Sequence, residues 1–261
     1  MQGFSSSELA SAQPDMQQVT KLCLLAGKII MQSGGETQRV EDTMMRIAAA
    51  YGHHNSHSFV TPTGILFAID GSSHVTRLVR ISNRSNNLTK VALVNDISRK
   101  IAANSLTFDE SLEQLQHIDK AFLDYPNWLA TLAAAIASSC FLYMSGGAWL
   151  ELPFVFVIGG VGYLCFTLLH DYIKIKFFAE FIAALSIGTL AVTAVHLGLA
   201  ARLDTIIIGS VIPLVPGLHI TNAVRDLMAG HLVSGLSKGA EAFLTASAIG
   251  AGIAAVLSVY S

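Results

Sequence analysis

The stretch Trp128–Met144, WLATLAAAIASSCFLYM, is a run of 17 residues without a charged side chain. As an α-helix it would be about 25 Å long, which is enough to cross the hydrocarbon core of a bilayer with little tilt. The glycine turn Ser145-Gly146-Gly147 follows it. This stretch predicts a membrane-spanning helix, and it begins the second of two dissimilar halves of the chain.

The second half is depleted of charge along its whole length. Residues 128–261 carry 5 basic and 6 acidic side chains, whereas residues 1–127 carry 11 and 12. Because hydrocarbon cannot solvate charge, this depletion is typical of a membrane domain. We predict a transmembrane helical domain over 128–261, preceded by a small cytosolic α+β domain over 1–127. The further complete spans are Trp149–Leu169, Phe177–Ala201 and Gly239–Tyr260.

The segment Thr205–Val215 interrupts this pattern. It is apolar but has 11 residues, contains Pro213 and is followed by Pro216-Gly217. As a helix it would be about 16 Å long, too short to cross a bilayer alone. Proline also stops helix propagation, so we predict a discontinuous helix. With it, the helical bundle has about five crossings.

The first half changes its period from helical to extended and back. Its first helix has an apolar stripe at spacings of three and four, formed by Val19, Leu22, Cys23, Ala26, Ile29 and Ile30. Short runs rich in valine, isoleucine and phenylalanine then predict an antiparallel sheet. The predicted order is ααβββαα. After the first helix, the elements are a helix over Glu36–Ala50, strands over Ser58–Thr61, Gly64–Ile69 and His74–Ile81, and helices over Asn87–Ala103 and Phe108–Phe122.

Composition excludes several classes of function. The net charge of −2 is too low for a nucleic-acid binder, which must neutralise a run of phosphates. The three cysteines lie far apart and form no C-x-x-C pair. His53, His54 and His57 have no carboxylate or cysteine spaced to complete a metal shell, so we predict a solvated turn, no metal and no cofactor. No G-x-x-x-x-G-K loop for ATP occurs in the sequence.

Basic residues near the spans predict the orientation. If the amino terminus is inside, Lys174 and Lys176 fall in an inner loop, and Arg225 and Lys238 precede the last span. The outer loops then hold Arg202 alone among basic residues. Cytoplasmic loops carry such an excess of lysine and arginine. We predict a multi-pass protein of the bacterial inner membrane, with a cytoplasmic amino terminus and a periplasmic carboxyl terminus.

Small residues indicate that the spans pack on one another. Ala246, Gly250 and Ala254 follow one another at steps of four in the last span, and three glycines cluster in the second. Small residues at such spacing let helix backbones approach closely. We therefore predict a bundle in which the stripe of the last span contacts a neighbouring helix.

Polar residues after the break share one side of a helix. If a helix begins near Gly217, then His219, Asn222, Asp226 and Gly230 lie within an arc of about 80°. This arc would be wet and the adjoining apolar face packed, which predicts a solute pathway; the alternative is an amphipathic helix on the membrane surface. The candidate pathway residues are Pro213, Pro216, Gly217, His219, Asn222, Arg225, Asp226 and Gly230.

Two further sites have both a functional and a structural interpretation. Glu180 lies near the start of the third span and is a candidate for ion coupling, although it could simply pair with Lys176. The helix start after two glycines could receive an anion or contact the membrane bundle, or its charges could only stabilise the first turn. The candidate residues at this start are Gly35, Glu36, Thr37, Arg39 and Glu41.

Both motifs resemble signatures of the threonine/serine exporter family. The likeness lies in residues 34–42, GGETQRVED, and in residues 213–217, PLVPG, followed by Asn222, Asp226 and Gly230. The family joins a cytosolic domain to about five spans and adds a second set of spans, either fused or as a separate small membrane protein. The chain resembles the larger subunit type, so the resemblance implies a small companion membrane subunit.

Three function classes remain at this level. The resemblance implies an exporter subunit for a small-molecule substrate, with threonine or serine expected first and succinate or another dicarboxylate second. It also implies ion coupling. The alternatives are a membrane-anchored hydrolase-like enzyme and a scaffold that uses residues 1–127. Because the bundle and the broken helix suit transport, we expect an exporter and not an enzyme.

Overall fold

The fold comes from a computed structural model that describes residues 14–70, 75–82, 84–121, 125–173 and 175–260. His74, Phe122 and Lys174, which the predictions above use, lie outside these ranges. The chain divides into two compact units. The sheet unit comprises Met1–Asp124 and Thr221–Lys238, and the helical unit comprises Tyr125–Ile220 and Gly239–Ser261. Compact units do not define sides of a membrane, so the domain assignment at residue 127 stays a prediction.

In its first part, up to Asp124, the sheet unit contains two helices, three strands and two further helices in chain order. The predicted ends that fall on described residues agree with the observed ones to within about two residues, the usual scatter of helix assignment. The elements are α1 Met16–Gln32, α2 Thr37–Ala50, β1 Ser56–Thr61, β2 Gly64–Ile69, β3 Val75–Arg80, α3 Leu88–Ala102 and α4 Phe108–Lys120.

The three strands form one antiparallel sheet in the order β1-β2-β3. The central strand pairs on both sides, with Leu66 opposite Phe59 of β1 and Leu78 of β3. Side chains alternate between the two faces of a sheet. Phe67 and Ile65 accordingly lie on the buried face, whereas Leu66 is exposed.

The core of the sheet unit forms around α1. All six residues of its predicted stripe are buried, which confirms the helical spacing read from the sequence. Each large side chain buried in this way stabilises the fold by about 1.5–3 kcal/mol. Gly27 lets α2 approach, because a Cβ there would lie 2.5 Å from the sulfur of Met44.

The helical unit holds most of the long apolar helices. Among the described residues, four helices are long and apolar enough to cross a membrane, or five if the bent pair Leu203–Leu214 and Gly217–Met228 is one span. The sequence predicts about five crossings, one of them discontinuous; the long apolar helices and the small sheet agree with a mostly helical bundle beside a small sheet. The helices of the second half of the chain are α5 Asn127–Met144, α6 Leu152–Ile173, α7 Lys176–His196, α8 Leu203–Val211, α9 Gly217–Met228 and α10 Leu232–Tyr260. Of these, α9 and α10 each have one part in the sheet unit, because that unit includes Thr221–Lys238.

The predicted break lies between α8 and α9. A short 3-10 turn over Ile212–Leu214 ends α8, and the helices on either side of the break differ in direction by 64°. The ring of Pro216 is buried at this point. Because proline lacks a backbone N–H and blocks the preceding turn, the chain changes direction here instead of continuing as one helix.

Glycine contacts in the helical unit agree with the prediction in one helix and contradict it in another. A Cβ at Gly159 of α6 would lie 2.2 Å from the hydroxyl of Ser138 in α5, so these helices pack closely. In α10 the predicted stripe is wrong: Ala246, Gly250 and Ala254 are exposed. Gly252 lies on the packed side instead, where a Cβ would be 2.5 Å from the carbonyl oxygen of Phe181.

Candidate functional site

The turn that precedes α2 requires both of its glycines. Gly34 has a φ of 82°, and Gly35 donates its N–H to the carbonyl of Ile30 at 2.9 Å. This is the Schellman ending of α1, which favours glycine at the left-handed position. A Cβ on Gly35 would lie 2.4 Å from the Cγ2 of Ile30. The turn thus fixes where the amino terminus of α2 points.

Asp226 caps α2 from a distant part of the chain. The residue before the helix, Glu36, makes no capping hydrogen bond with its side chain. Instead, Asp226 accepts the backbone N–H of Thr37 at 3.0 Å and the hydroxyl of Thr37 at 2.8 Å. A carboxylate is stabilised at this position because the first N–H groups and the helix dipole are positive there. The two resemblance motifs therefore meet at one hydrogen-bonded point.

Lys238 completes this point with a positive charge. Its ammonium donates to Asp226 at 2.7 Å and lies 3.3 Å from the carbonyl oxygen of Gly35 and 3.4 Å from the hydroxyl of Thr37. Asp226 is 1% exposed and Lys238 is 6% exposed. A buried pair of this kind is tolerated only when its hydrogen bonds are satisfied, as they are here. We call Thr37, Asp226 and Lys238 the capping triad.

Further polar contacts surround the capping triad. Asn222 donates its side-chain amide to the carbonyl of Gly34 at 2.9 Å. Arg225 pairs with Glu36, and Arg39 lies 3.8 Å from the same carboxylate. Ser234 donates its hydroxyl to the carbonyl of Val60 at 3.1 Å. Within the sheet unit, segment 221–238 is therefore bound to the residues of its first part through polar groups.

Glu41 lies at the edge of the same region. Its carboxylate is 3.9 Å from the Nε2 of His231, and its side chain is 17% exposed. Burial raises the pKa of Glu41, and the nearby His231 partly opposes that shift. Of the five residues predicted at the start of α2, Thr37 belongs to the capping triad, Gly35 contacts Lys238 through its carbonyl, and Glu36, Arg39 and Glu41 lie around it.

Gly230 ends α9 and does not take part in the polar cluster through a side chain. It has a φ of 86°, and His231 donates its N–H to the carbonyl of Asp226 at 2.8 Å. This is a second Schellman ending. It reverses the chain between α9 and α10, which brings Lys238 back towards Asp226.

The predicted wet arc is wrong for two of its residues. Asn222 and Asp226 are buried, whereas Val224 and Leu227 on the apolar side are 50% and 38% exposed. The reason is that the polar groups of segment 221–238 find partners in the sheet unit. Burial with partners satisfies these groups as well as water would.

The other predicted site residues lie in the helical unit. Pro213, Pro216 and Gly217 form the break described above. His219 belongs to that unit as well and lies 3.6 Å from Glu241. Glu180 is buried and lies 3.9 Å from Lys176.

Sequence reasoning missed three residues of the site: His231, Ser234 and Lys238. One of them, Lys238, could have been noticed in the sequence, because it directly precedes the predicted span that began at Gly239. In the structure it lies inside the 29-residue helix α10. A lysine next to a long apolar run requires a partner or an interface. The partner, Asp226, lies 12 residues away and could be named only once the turn at Gly230 was known.

Comparison with known proteins identifies the family. Residues 21–260 match the family model described as "Putative threonine/serine exporter". The match includes both motifs that meet at the capping triad. No solved structure matches the chain.

Individual relatives carry transporter names. The chain is 27% identical over 247 residues to the "Probable succinate transporter subunit YjjP" of Escherichia coli strain K12, which covers 93% of this chain and 94% of that protein. A Klebsiella aerogenes protein of the same name is 27% identical over 251 residues, with 94% and 95% covered. The "Probable threonine/serine exporter" of Mycobacterium tuberculosis is 24% identical over 237 residues, which span 89% of this chain but 45% of that protein.

These matches exclude one of the alternatives left by the sequence. The family is one of transporters and not of enzymes. The long apolar helices fit an integral membrane protein with an exporter role. With 21–260 matched, this chain belongs to the threonine/serine exporter family.

Proposed function

We propose that the chain is the larger subunit of a two-chain secondary exporter that moves small carboxylate-bearing metabolites out of the bacterial cytoplasm. The observation that carries the proposal is the match over nearly the whole length of a protein named as a transporter subunit. The broken helix between α8 and α9 supports it, because discontinuous helices place unsatisfied backbone groups where a solute can be held. An ion gradient drives the export in this proposal.

For the substrate, we propose a small dicarboxylate such as succinate first. The Escherichia coli and Klebsiella aerogenes relatives, which align over 94% and 95% of their own length, are named succinate transporter subunits. Threonine or serine is the second candidate, which the family description and the Mycobacterium tuberculosis relative favour. All of these solutes carry a carboxylate, so a positive half-helix end suits each of them.

The companion is the partner that this proposal requires. Alternating access generally needs two sets of helices that move about a central site. We expect export above background from cells that express this chain together with a small membrane protein of the same family from the same genome, and background rates from either chain alone. The measurement is efflux of labelled succinate, and separately of labelled threonine, from preloaded cells. Rapid efflux by this chain alone would contradict the proposal.

We also propose an inner-membrane location with the amino terminus in the cytoplasm and the carboxyl terminus in the periplasm. The bent pair then counts as one of five crossings. The basic residues support this orientation, because Lys176, Arg225 and Lys238 would all lie at inner ends.

Cysteine labelling checks this orientation. In a background without the native cysteines, Ala148→Cys and Leu199→Cys should react with a membrane-impermeant thiol reagent added to intact cells. A cysteine in place of Ile175 should react only after the cells are opened. The orientation fails if position 175 reacts in intact cells while positions 148 and 199 are protected.

Within the exporter, we propose two roles for the candidate residues. Those at the break line the solute path: Pro213, Pro216, Gly217 and His219. The remaining candidates hold segment 221–238 against the start of α2. On the segment they are Asn222, Arg225, Asp226 and Gly230. At the start of α2 they are Gly35, Glu36, Thr37, Arg39 and Glu41. The burial of Asn222 and Asp226 supports the second role, because buried and fully bonded side chains are not available to a solute.

A further inference from the structure

A separate cluster of charged side chains lies inside the helical unit. Glu180 of α7 is 2% exposed. It lies beside Lys176 on its own helix and Thr245 on α10, and Lys176 also contacts Glu241 of α10. His219, near the start of α9, lies 3.6 Å from the carboxylate of Glu241. Ionisable groups inside an apolar bundle are costly, and they commonly mark the pathways of ions or protons.

One oxygen of Glu180 lacks a hydrogen bond. The hydroxyl of Thr245 donates to Oε1 at 3.2 Å, whereas the buried Oε2 has no hydrogen-bond partner among the described residues. Glu151 gives the contrast within the same unit, because it is 3% exposed and both of its oxygens accept backbone N–H groups. An ionised carboxylate with a bare buried oxygen is strongly disfavoured. A proton on Oε2 removes that charge.

The position of Lys176 agrees with a protonated Glu180. Its ammonium is 3.3 Å from Glu241, within hydrogen-bond distance, and 3.9 Å from Glu180. With Glu180 neutral, Lys176 and Glu241 balance each other. Without that proton, the same three groups carry a net negative charge. We propose that Glu180 is the proton-binding residue of this exporter, and that Lys176 moves from Glu241 to Glu180 when the proton leaves.

The proton step is simple in this arrangement. The O–H bond at Oε2 breaks, the electron pair stays on the carboxylate, and the proton passes to water. Lys176 then pairs with Glu180, and Glu241 keeps His219 as its neighbour. Since His219 lies two residues after Gly217, proton occupancy acts on the start of α9 next to the break. The role of this proton in coupling rests on the proposed export function.

Infrared titration of the purified full chain tests proton binding without any transport assay. We expect the protonated-carboxyl band of the wild type to contain a component that disappears as the pH rises and that is missing in Glu180→Gln, so that it stands out in the difference between the two proteins. Glu151→Gln, the matched buried control, should keep the band. Glu241→Gln removes a neighbouring negative charge, so the band should disappear at a lower pH than in the wild type. This shift is a readout that a merely structural role would not produce.

Two results would overturn the inference. One is an infrared titration in which Glu180→Gln is identical to the wild type. The other comes from liposomes that contain both subunits. There, Glu180→Gln should lose its response to a pH gradient while solute exchange continues without a gradient. An unchanged response to the gradient would exclude Glu180 as the proton-binding residue.

If Glu180→Gln does not fold, the shift of the infrared band in Glu241→Gln tests the inference instead. A wild type that exchanges no solute would contradict the export proposal and leave the infrared result valid.

Discussion

Lys238→Met is expected to lower the stability of the full chain by about 3–5 kcal/mol, because it leaves Asp226 buried without its cation. Asp226 is 1% exposed and keeps Thr37 as its other partner. Two hydrogen bonds cannot offset the cost of burying an unpaired charge. The measurement is thermal unfolding of the purified chain in detergent, monitored as the fraction of protein that remains monodisperse after heating.

Lys28→Met is the matched control for this prediction. Lys28 also pairs with an aspartate of the sheet unit, Asp119 at 3.1 Å, but the two side chains are 32% and 28% exposed. Exposed pairs contribute about 0–1 kcal/mol, so this variant should unfold close to the wild type. Equal unfolding of Lys28→Met and Lys238→Met would show that the capping triad does not stabilise the chain.

A double variant separates the ion pair from its surroundings. Asp226→Asn should also be destabilising, because its amide would face the ammonium of Lys238. Asp226→Asn combined with Lys238→Met should cost much less than the sum of the two single changes, since each single change leaves one buried charge unpaired and the double variant removes both charges. If Asp226 contacted solute instead, Asp226→Asn would abolish export with unchanged stability.

Local features of this fold could be predicted from the sequence. The stripe of α1 follows from its spacing alone, and its residues are buried as expected. The break between α8 and α9 follows from Pro213 and Pro216, because proline acts on its own backbone neighbours. Such features depend on residues that are close in the sequence. Short-range chemistry is sufficient to place them.

The candidate site could not be predicted in the same way. The polar arc of α9 was expected to face water, but Asp226 pairs with Thr37, 189 residues away. Amphipathic spacing shows that one side of a helix is polar; it does not show whether that side meets water or a polar partner. The helix α10 begins at Leu232, seven residues before the predicted start of the last span at Gly239, and its first turns carry the paired Lys238.

The small residues of α10 also show that residue spacing alone does not identify a contact, and substitutions at two of its glycines can test this. The stripe of Ala246, Gly250 and Ala254 satisfies the spacing rule, yet in the structure Gly252 is the glycine that meets a neighbouring helix. Spacing identifies which residues share a face, but the contact depends on how the helix is rotated within the bundle.

Gly252→Ala is expected to destabilise the chain, whereas Gly250→Ala is not. A Cβ at position 252 would lie 2.5 Å from the carbonyl oxygen of Phe181 and 2.9 Å from the Cβ of Ala184. Since the oxygen belongs to the backbone of α7, it cannot rotate away, and α10 must shift at a cost of about 1–3 kcal/mol. Thermal unfolding in detergent should therefore show a lower midpoint for Gly252→Ala, and a lower one still for Gly252→Val.

Gly250→Ala is the control within the same helix. A Cβ at position 250 meets no described atom within 4 Å, so alanine fits without strain and favours the helix by about 0.5–1 kcal/mol. Its unfolding midpoint should equal or exceed that of the wild type. Equal midpoints for Gly250→Ala and Gly252→Ala would mean that α10 is not held against α7 at Gly252. A lower midpoint for Gly250→Ala alone would mean that the predicted stripe, and not Gly252, faces the neighbouring helix.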